Sequence, residues 1–207
     1  MIDEGLDCIL NVHHDTGASS NAWLRADAEA YEKYSGRFID LWNQIATEFA
    51  EYDEKLLFES FNEMLDARST WNTTTAEGYD IINKYNSDFV HTVRATGGNN
   101  ADRNLVVNTY AACSGEGNWN THLKDPLKEM KIPTDKSKDH LAVQIHYYPS
   151  FSSVNEAKGN VDAFLSGLKT YLAPKGAPII VGEWGCGEGS KVNYKDDSVN
   201  YCAYAKY

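Results

Sequence analysis

A chain of 207 residues is long enough to bury a substantial core, and 42% hydrophobic with 24% charged residues is the balance of one globular domain rather than a disordered segment. A formal net charge of −11 repels phosphate backbones and anionic headgroups, which argues against nucleic acid and membrane surfaces as partners and leaves a neutral substrate unpenalised. Cys8, Cys113, Cys186 and Cys202 lack the paired spacing of a zinc knuckle, and no run is apolar enough to span a bilayer.

In chain order, Met1 is not followed by a signal peptide, and the opening residues read as the end of a helix. Leu6 to Val12 (LDCILNV) is a short apolar run and predicts a buried strand, with Cys8 a buried thiol. From Ala28 to Tyr52 the apolar residues Tyr31, Tyr34, Phe38, Leu41, Trp42, Ile45 and Phe49 recur at three and four, the period of a helix with one buried face. LLFESF, from Leu56, predicts the next strand, apolar and aromatic but for Glu59 and Ser60. A second helix is predicted over Thr75 to Thr96, with Gly97 and Gly98 as its stop.

Asn104 to Tyr110 (NLVVNTY) predicts a third strand, followed by a long polar connection with a helical turn near Leu127. Leu141 to Tyr148 (LAVQIHYY) predicts a fourth strand, Val161 to Leu172 a helix, and PIIVGEW, from Pro178, a fifth strand. The tail from Asn193 to Tyr207 reads as the start of a further helix, and Cys186 and Cys202 can pair or stay free. Strands that are apolar throughout, alternating with amphipathic helices, form a parallel sheet covered by helices. Both an open doubly wound sheet and a closed (β/α)8 barrel satisfy that rule. No glycine-rich phosphate fingerprint opens any helix, which disfavours the open nucleotide-binding form.

The polar residues collect at the carboxyl ends of the strands: His13-His14-Asp15, Asn62-Glu63, His146-Tyr147-Tyr148 and Glu183. In a barrel, parallel strands deliver these ends to one rim, the face that carries the chemistry. Two glutamates suit glycoside hydrolysis, where one carboxyl protonates the leaving oxygen and the other attacks the anomeric carbon. Asn62 can donate to a sugar hydroxyl, and Tyr148 can donate to the attacking carboxylate. His146 and Tyr148 are two apart and face one side of their strand. A metal-dependent barrel hydrolase is the rival, but His13 and His14 alternate faces and neither HxH nor HExxH occurs. Trp23, Trp119 and Trp184 are candidates for stacking on sugar. Trp119 lies in a Gly/Asn-rich loop beyond the third strand. Trp184 follows Glu183, points away from it, and is expected to pack in the core.

These residues resemble glycoside hydrolase family 5, the retaining β-glycanases that include many endo-β-1,4-glucanases. The matching pieces are ILNVHHD (Ile9 to Asp15), LLFESFNE (Leu56 to Glu63), IHYY (Ile145 to Tyr148) and VGEWG (Val181 to Gly185). The resemblance implies an α/β fold, the (β/α)8 TIM barrel. It implies Glu63 as general acid/base and Glu183 as nucleophile, with His13, Asn62, His146 and Tyr148 in support; beside these, His14, Trp119 and Trp184 are candidates for contact with substrate. It implies no metal and no cofactor.

Two departures stand out. Met64 replaces the Pro that usually follows Asn-Glu, a change expected to affect the loop. The layout covers only strands three to seven of eight, so the family's strand-two Arg and strand-eight Trp have no counterpart here. The expectation is therefore a partial catalytic domain over residues 1–207, acting on a β-linked polysaccharide or oligosaccharide. Cellulose or another β-1,4-glucan comes first. Mannan, xylan, xyloglucan and lichenan are alternatives, and a glycan-binding remnant without turnover is the reading from another class. Polymeric glycans lie outside cells, so the intact protein is expected to be secreted.

Overall fold

A computed structural model describes residues 2–113, 124–148 and 154–184. Five strands form one sheet in the order β1 (Cys8–Asn11), β2 (Leu56–Glu59), β3 (Leu105–Asn108), β4 (Leu141–Tyr147) and β5 (Ile179–Trp184). Every neighbouring pair is parallel. Helices α1 (Ala28–Glu48), α2 (Ala76–Ala95), α3 (Lys124–Glu129) and α4 (Val154–Gly167) fill the connections. The result is an incomplete (β/α)8 barrel, with five of the strands that the closed fold requires.

The helix starts follow side-chain chemistry. The Asp27 carboxylate accepts from the Ala30 amide at 2.9 Å and caps α1. The Thr75 hydroxyl accepts from the Gly78 amide at 3.1 Å and caps α2. The predicted first helix stops at Glu48 instead of Tyr52, and the first strand shortens to Cys8–Asn11. The largest difference is α4, which begins at Val154, seven residues before the predicted Val161. Its first turns are polar and contain Gly159, so apolar periodicity misses them, and its end widens into a π turn over Leu168–Leu172.

The core lies between the sheet and its helices. Trp42 of α1 is fully buried, its ring centroid 4.5 Å from that of Phe89 on α2 and 5.6 Å from that of Phe58 on β2. The Trp42 indole donates to the Ser60 carbonyl at 3.1 Å, so the largest core side chain also fixes the chain just beyond β2. On β4, Tyr147 stacks on Phe164 of α4 with centroids 3.9 Å apart. The outermost strands are less well covered: Ile9 of β1 and Val181 and Trp184 of β5 are exposed. Cys8 is half-buried and unpaired, so the expected buried thiol on β1 is not found, because β1 is an outer strand of this sheet.

At the amino ends of the strands a buried arginine holds the framework. Arg103 donates to the carbonyls of Phe49, Tyr52, Asp53 and Leu56 at 2.6–3.0 Å, and to the Asn100 side chain. It ties the end of α1 to the entry of β2. Arg103→Met strands these acceptors in a dry environment and is expected to cost about 3 kcal/mol. Urea denaturation checks the loss. The carboxyl-end site is expected to keep its geometry, because the arginine lies at the other end of the strands.

Candidate functional site

Alternation along each strand sends one row of side chains to the helices and the next to the barrel interior. On the interior row lie Asn11 of β1, Glu59 of β2, Asn108 of β3, and Gln144 and His146 of β4. Glu59 accepts from Asn108 Nδ2 at 3.1 Å and from Gln144 Nε2 at 2.5 Å. Glu59 is 3% exposed, and this carboxylate with its amides forms the floor of the site.

Above the floor, β2 ends at Glu59 but the chain stays pinned on both sides. The Ser60 amide donates to the Val106 carbonyl and the Asn62 amide to the Val12 carbonyl, at 2.9 and 3.0 Å. Asn62 and Glu63 therefore leave the sheet in a fixed direction. Met64 is fully buried in the segment after β2, and its carbonyl accepts from the Ala111 amide at 3.1 Å, so this loop residue packs into the core. Ala111, Ala112 and Cys113 all have φ near +50°, a left-handed turn that costs non-glycine residues about 1–2 kcal/mol each and that supports the chain behind Glu63. Burial pushes the Cys113 thiol up to about 12, so it stays protonated.

His146 is fully buried and joins the two glutamates. Its Nδ1 lies 2.8 Å from Glu63 Oε1 and 3.6 Å from Glu183 Oε2. The Tyr148 hydroxyl donates to Glu183 Oε2 at 2.7 Å. His13 Nε2 stands 4.0 Å from Glu183 Oε1 and 3.4 Å from Asn62 Nδ2. So His13, Asn62, Glu63, His146, Tyr148 and Glu183, predicted from four strand ends, meet in one place. His14 does not join them; it is exposed and touches the edge of the His13 ring. Trp184 is 48% exposed, so the expected core packing is not found: it sits on an outer strand, in register with Tyr147. Trp119 lies outside the described residues, as do Cys186, Cys202 and the predicted tail helix. One ligand-type atom from each of Glu63, His146 and Glu183 lies within 4.8 Å of the others, a spacing a cation could share.

Glu183 reaches this cluster through an irregularity that the sequence reading did not anticipate. Ile145 pairs with Val181, yet the next residue, His146, pairs with Glu183. One extra residue, Gly182, is inserted into β5. Without it Gly182 would face His146, and Glu183 would turn with Tyr147 toward the helices. The bulge reverses that parity and re-aims the carboxylate inward. A Cβ on Gly182 would lie 2.2 Å from Gln144 Oε1, so a glycine is needed where the strand crosses the Gln144 amide. The sequence signal was the glycine within PIIVGEW. The floor carboxylate carried a signal too, as the one charged residue of LLFESF.

An incomplete (β/α)8 barrel with two glutamates meeting at its carboxyl-end rim has the architecture of a glycoside hydrolase. The chain belongs to glycosyl hydrolase family 5: that family's cellulase model matches residues 1–207. It is similar to endoglucanase B of Neocallimastix patriciarum, 34% identical over 215 residues that cover 98% of this chain and 41% of that protein. Among solved structures it resembles a GH5-4 broad specificity endoglucanase from an uncultured bacterium, with a TM-score of 0.88, 40% identity, and coverage of 98% of this chain and 60% of that one. It also resembles a family 5 enzyme of Prevotella bryantii B14 in complex with a xyloglucan tetradecasaccharide, with a TM-score of 0.76, 40% identity, and coverage of 91% and 54%. The chain thus spans less than two thirds of each of these relatives.

Two outcomes follow from the floor. Burial, opposed by the amide hydrogen bonds, raises the Glu59 pKa from its ordinary 4.5 to about 7. The folded state then holds this proton more tightly than the unfolded state, so its contribution favours folding at low pH and is lost as pH rises from about 4.5 to about 7. That loss is about 3 kcal/mol. Melting curves of wild type and Glu59→Gln should separate in favour of the variant above pH 7, and the variant's advantage should disappear near pH 4.5. Gly182→Ala should displace Gln144 and lower the melting temperature, because the new methyl meets the amide directly.

Proposed function

We propose that this chain is part of the catalytic domain of a retaining endo-β-1,4-glucanase, with Glu63 as general acid/base and Glu183 as nucleophile. The observation that carries the reading is the close pairing of these carboxyls across His146 Nδ1, at 2.8 and 3.6 Å. Retaining glycosidases set their carboxyls about 5–5.5 Å apart, because one attacks the sugar itself; inverting enzymes leave room for a water between them. In the first step Glu63 donates its proton to the glycosidic oxygen as a Glu183 oxygen bonds to the anomeric carbon and the leaving sugar departs. In the second, Glu63, now ionised, takes a proton from water as that water's oxygen displaces Glu183. Double displacement returns the starting configuration.

The surroundings support these parts. The Tyr148 hydroxyl donates to Glu183 at 2.7 Å and aims it. His13 and Asn62 line the same side and can meet sugar hydroxyls. The substrate class we infer is a neutral β-1,4-glucan, plain or xylosyl-branched, in line with the xyloglucan oligosaccharide held by the Prevotella relative and with a net charge of −11 that suits an uncharged polymer. Such polymers lie outside cells, and that is where we place the intact protein. A second reading rests on the same five strands: a glycan-binding piece without turnover, because among the described residues β1 and β5 are each paired on one side only.

Reducing-sugar release from carboxymethylcellulose, xyloglucan, mannan and xylan separates these readings, measured for the 207-residue chain and for the longest chain that carries this segment. Turnover of the glucans is expected in the longer chain. Glu63→Ala should lower kcat by about 10²–10⁴-fold. Glu183→Ala should release no reducing sugar, and added azide should give a glycosyl azide, read by mass spectrometry, since azide can attack the anomeric carbon in place of the missing carboxylate as the leaving sugar departs with the Glu63 proton. Undiminished turnover in either variant overturns the assignment.

A further inference from the structure

The reaction proposed above has no task for Glu59, yet this carboxyl occupies the centre of the barrel floor. Burying a carboxylate is costly, so its presence in an otherwise apolar strand calls for a reason. Its neighbours supply one. Gln144 Nε2 donates to Glu59 Oε1 at 2.5 Å and lies 3.0 Å from His146 Nε2. Asn108 Nδ2 donates to the same carboxylate oxygen at 3.1 Å, and the Asn11 side chain hydrogen-bonds to the carboxylate as well.

We propose that Glu59 is a positioning residue: through the Gln144 amide it fixes the ring proton of His146 on Nδ1, facing Glu63 and Glu183. Above its pKa of about 7 Glu59 is ionised and only accepts hydrogen bonds, so it turns the NH₂ end of Gln144 toward itself and away from the reverse orientation. That NH₂ has two hydrogens. One goes to Glu59, and the other meets the lone pair of His146 Nε2. A neutral imidazole has one N–H, and with Nε2 accepting it must sit on Nδ1. Nδ1–H then donates to Glu63 Oε1 at 2.8 Å.

If the amide were reversed, the Gln144 carbonyl would face Glu59 and take a proton from Nε2. The bare lone pair of Nδ1 would then oppose the Glu183 carboxylate, and Glu63 as well once it has given up its proton. Gly182 leaves the amide its place, since a side chain there would collide with it. The charged or titratable groups acting on Glu59 are His146 from β4 and Glu183 from β5, while Asn11, Asn108 and Gln144 from β1, β3 and β4 are neutral. The role matters in turnover more than in binding: Glu63 becomes ionised as it gives up its proton, and the Nδ1–H donor stabilises that form.

This inference rests on Glu63 as acid/base, and the test separates the two. The longest chain that carries this segment is labelled with ¹⁵N-histidine, and the His146 ring nitrogens are read by NMR above pH 7, where Glu59 is ionised, in wild type, Glu59→Gln and Gln144→Met. In wild type, Nδ1 should carry the proton and Nε2 should be an acceptor. Both variants should lose that single state, with kcat lowered about 10-fold or more and KM within about twofold, as expected when a supporting partner is lost. A wild-type ring protonated on Nε2 overturns the proposal outright, whether or not the variants fold. So does an unchanged ring state in folded Glu59→Gln with kcat near wild type. If instead Glu63→Ala stays active while the ring behaves as stated, the acid/base reading fails and the positioning of His146 stands.

Discussion

Strand parity governs this molecule. A residue leaving a parallel strand faces either the barrel interior or the helices, and one position separates the two outcomes. On β2 and β4 parity is met by regular alternation: Phe58 packs toward Trp42 while Glu59 faces inward, and Tyr147 packs on Phe164 while His146 faces inward. On β5 alternation alone would give the wrong face. The insertion at Gly182 corrects it and brings Glu183 opposite His146. A strand that can shift by one residue would lose the pairing of the glutamates entirely. The bulge is therefore more than a local kink, and the Gln144 amide packed against it couples β5 to the floor.

The two faces of the sheet hold the fold by different means. The helix side is apolar and aromatic, and Trp42, Phe58, Phe89 and Phe38 contribute burial that is tolerant of direction. The interior is a polar network of Asn11, Glu59, Asn108, Gln144 and His146, where each group depends on a neighbour's geometry. Such networks add little net stability but penalise alternatives, since a misaligned strand strands several buried polar atoms at once. The division suits a catalytic rim. The apolar side supplies the energy to fold, and the polar side specifies the register in which two carboxyls meet.

Much of this was legible in the sequence. The strand and helix order followed from apolar runs and periodicity, and the polar strand ends pointed to one rim once the strands were taken as parallel. What escaped detection depends on pairing between distant segments. The bulge relates Ile145–His146 to Val181–Glu183, and no local window contains both. Glu59 was visible as an oddity, but its three amide neighbours come from β1, β3 and β4. Trp184 and Cys8 were assigned to the core on chemistry alone, whereas their exposure depends on which strands lie at the margins of the sheet. Gly159 and its polar neighbours concealed the start of α4, because they present no apolar stripe at the helical period.

The margins also bear on how the site can work. Its six converging side chains all come from the ends of β1, β2, β4 and β5. Two of its members, His13 and Glu183, belong to the outermost strands, which are paired on one side within the described residues. Unpaired strand edges with exposed Ile9, Val181 and Trp184 are prone to fraying and to association with other edges. Fraying at β5 would move Glu183 while leaving Glu63 in place, because Glu63 follows a strand flanked on both sides and anchored by Trp42. The Glu183 position is thus the more vulnerable of the two, and the pairing of the two carboxyls depends on holding β5 still.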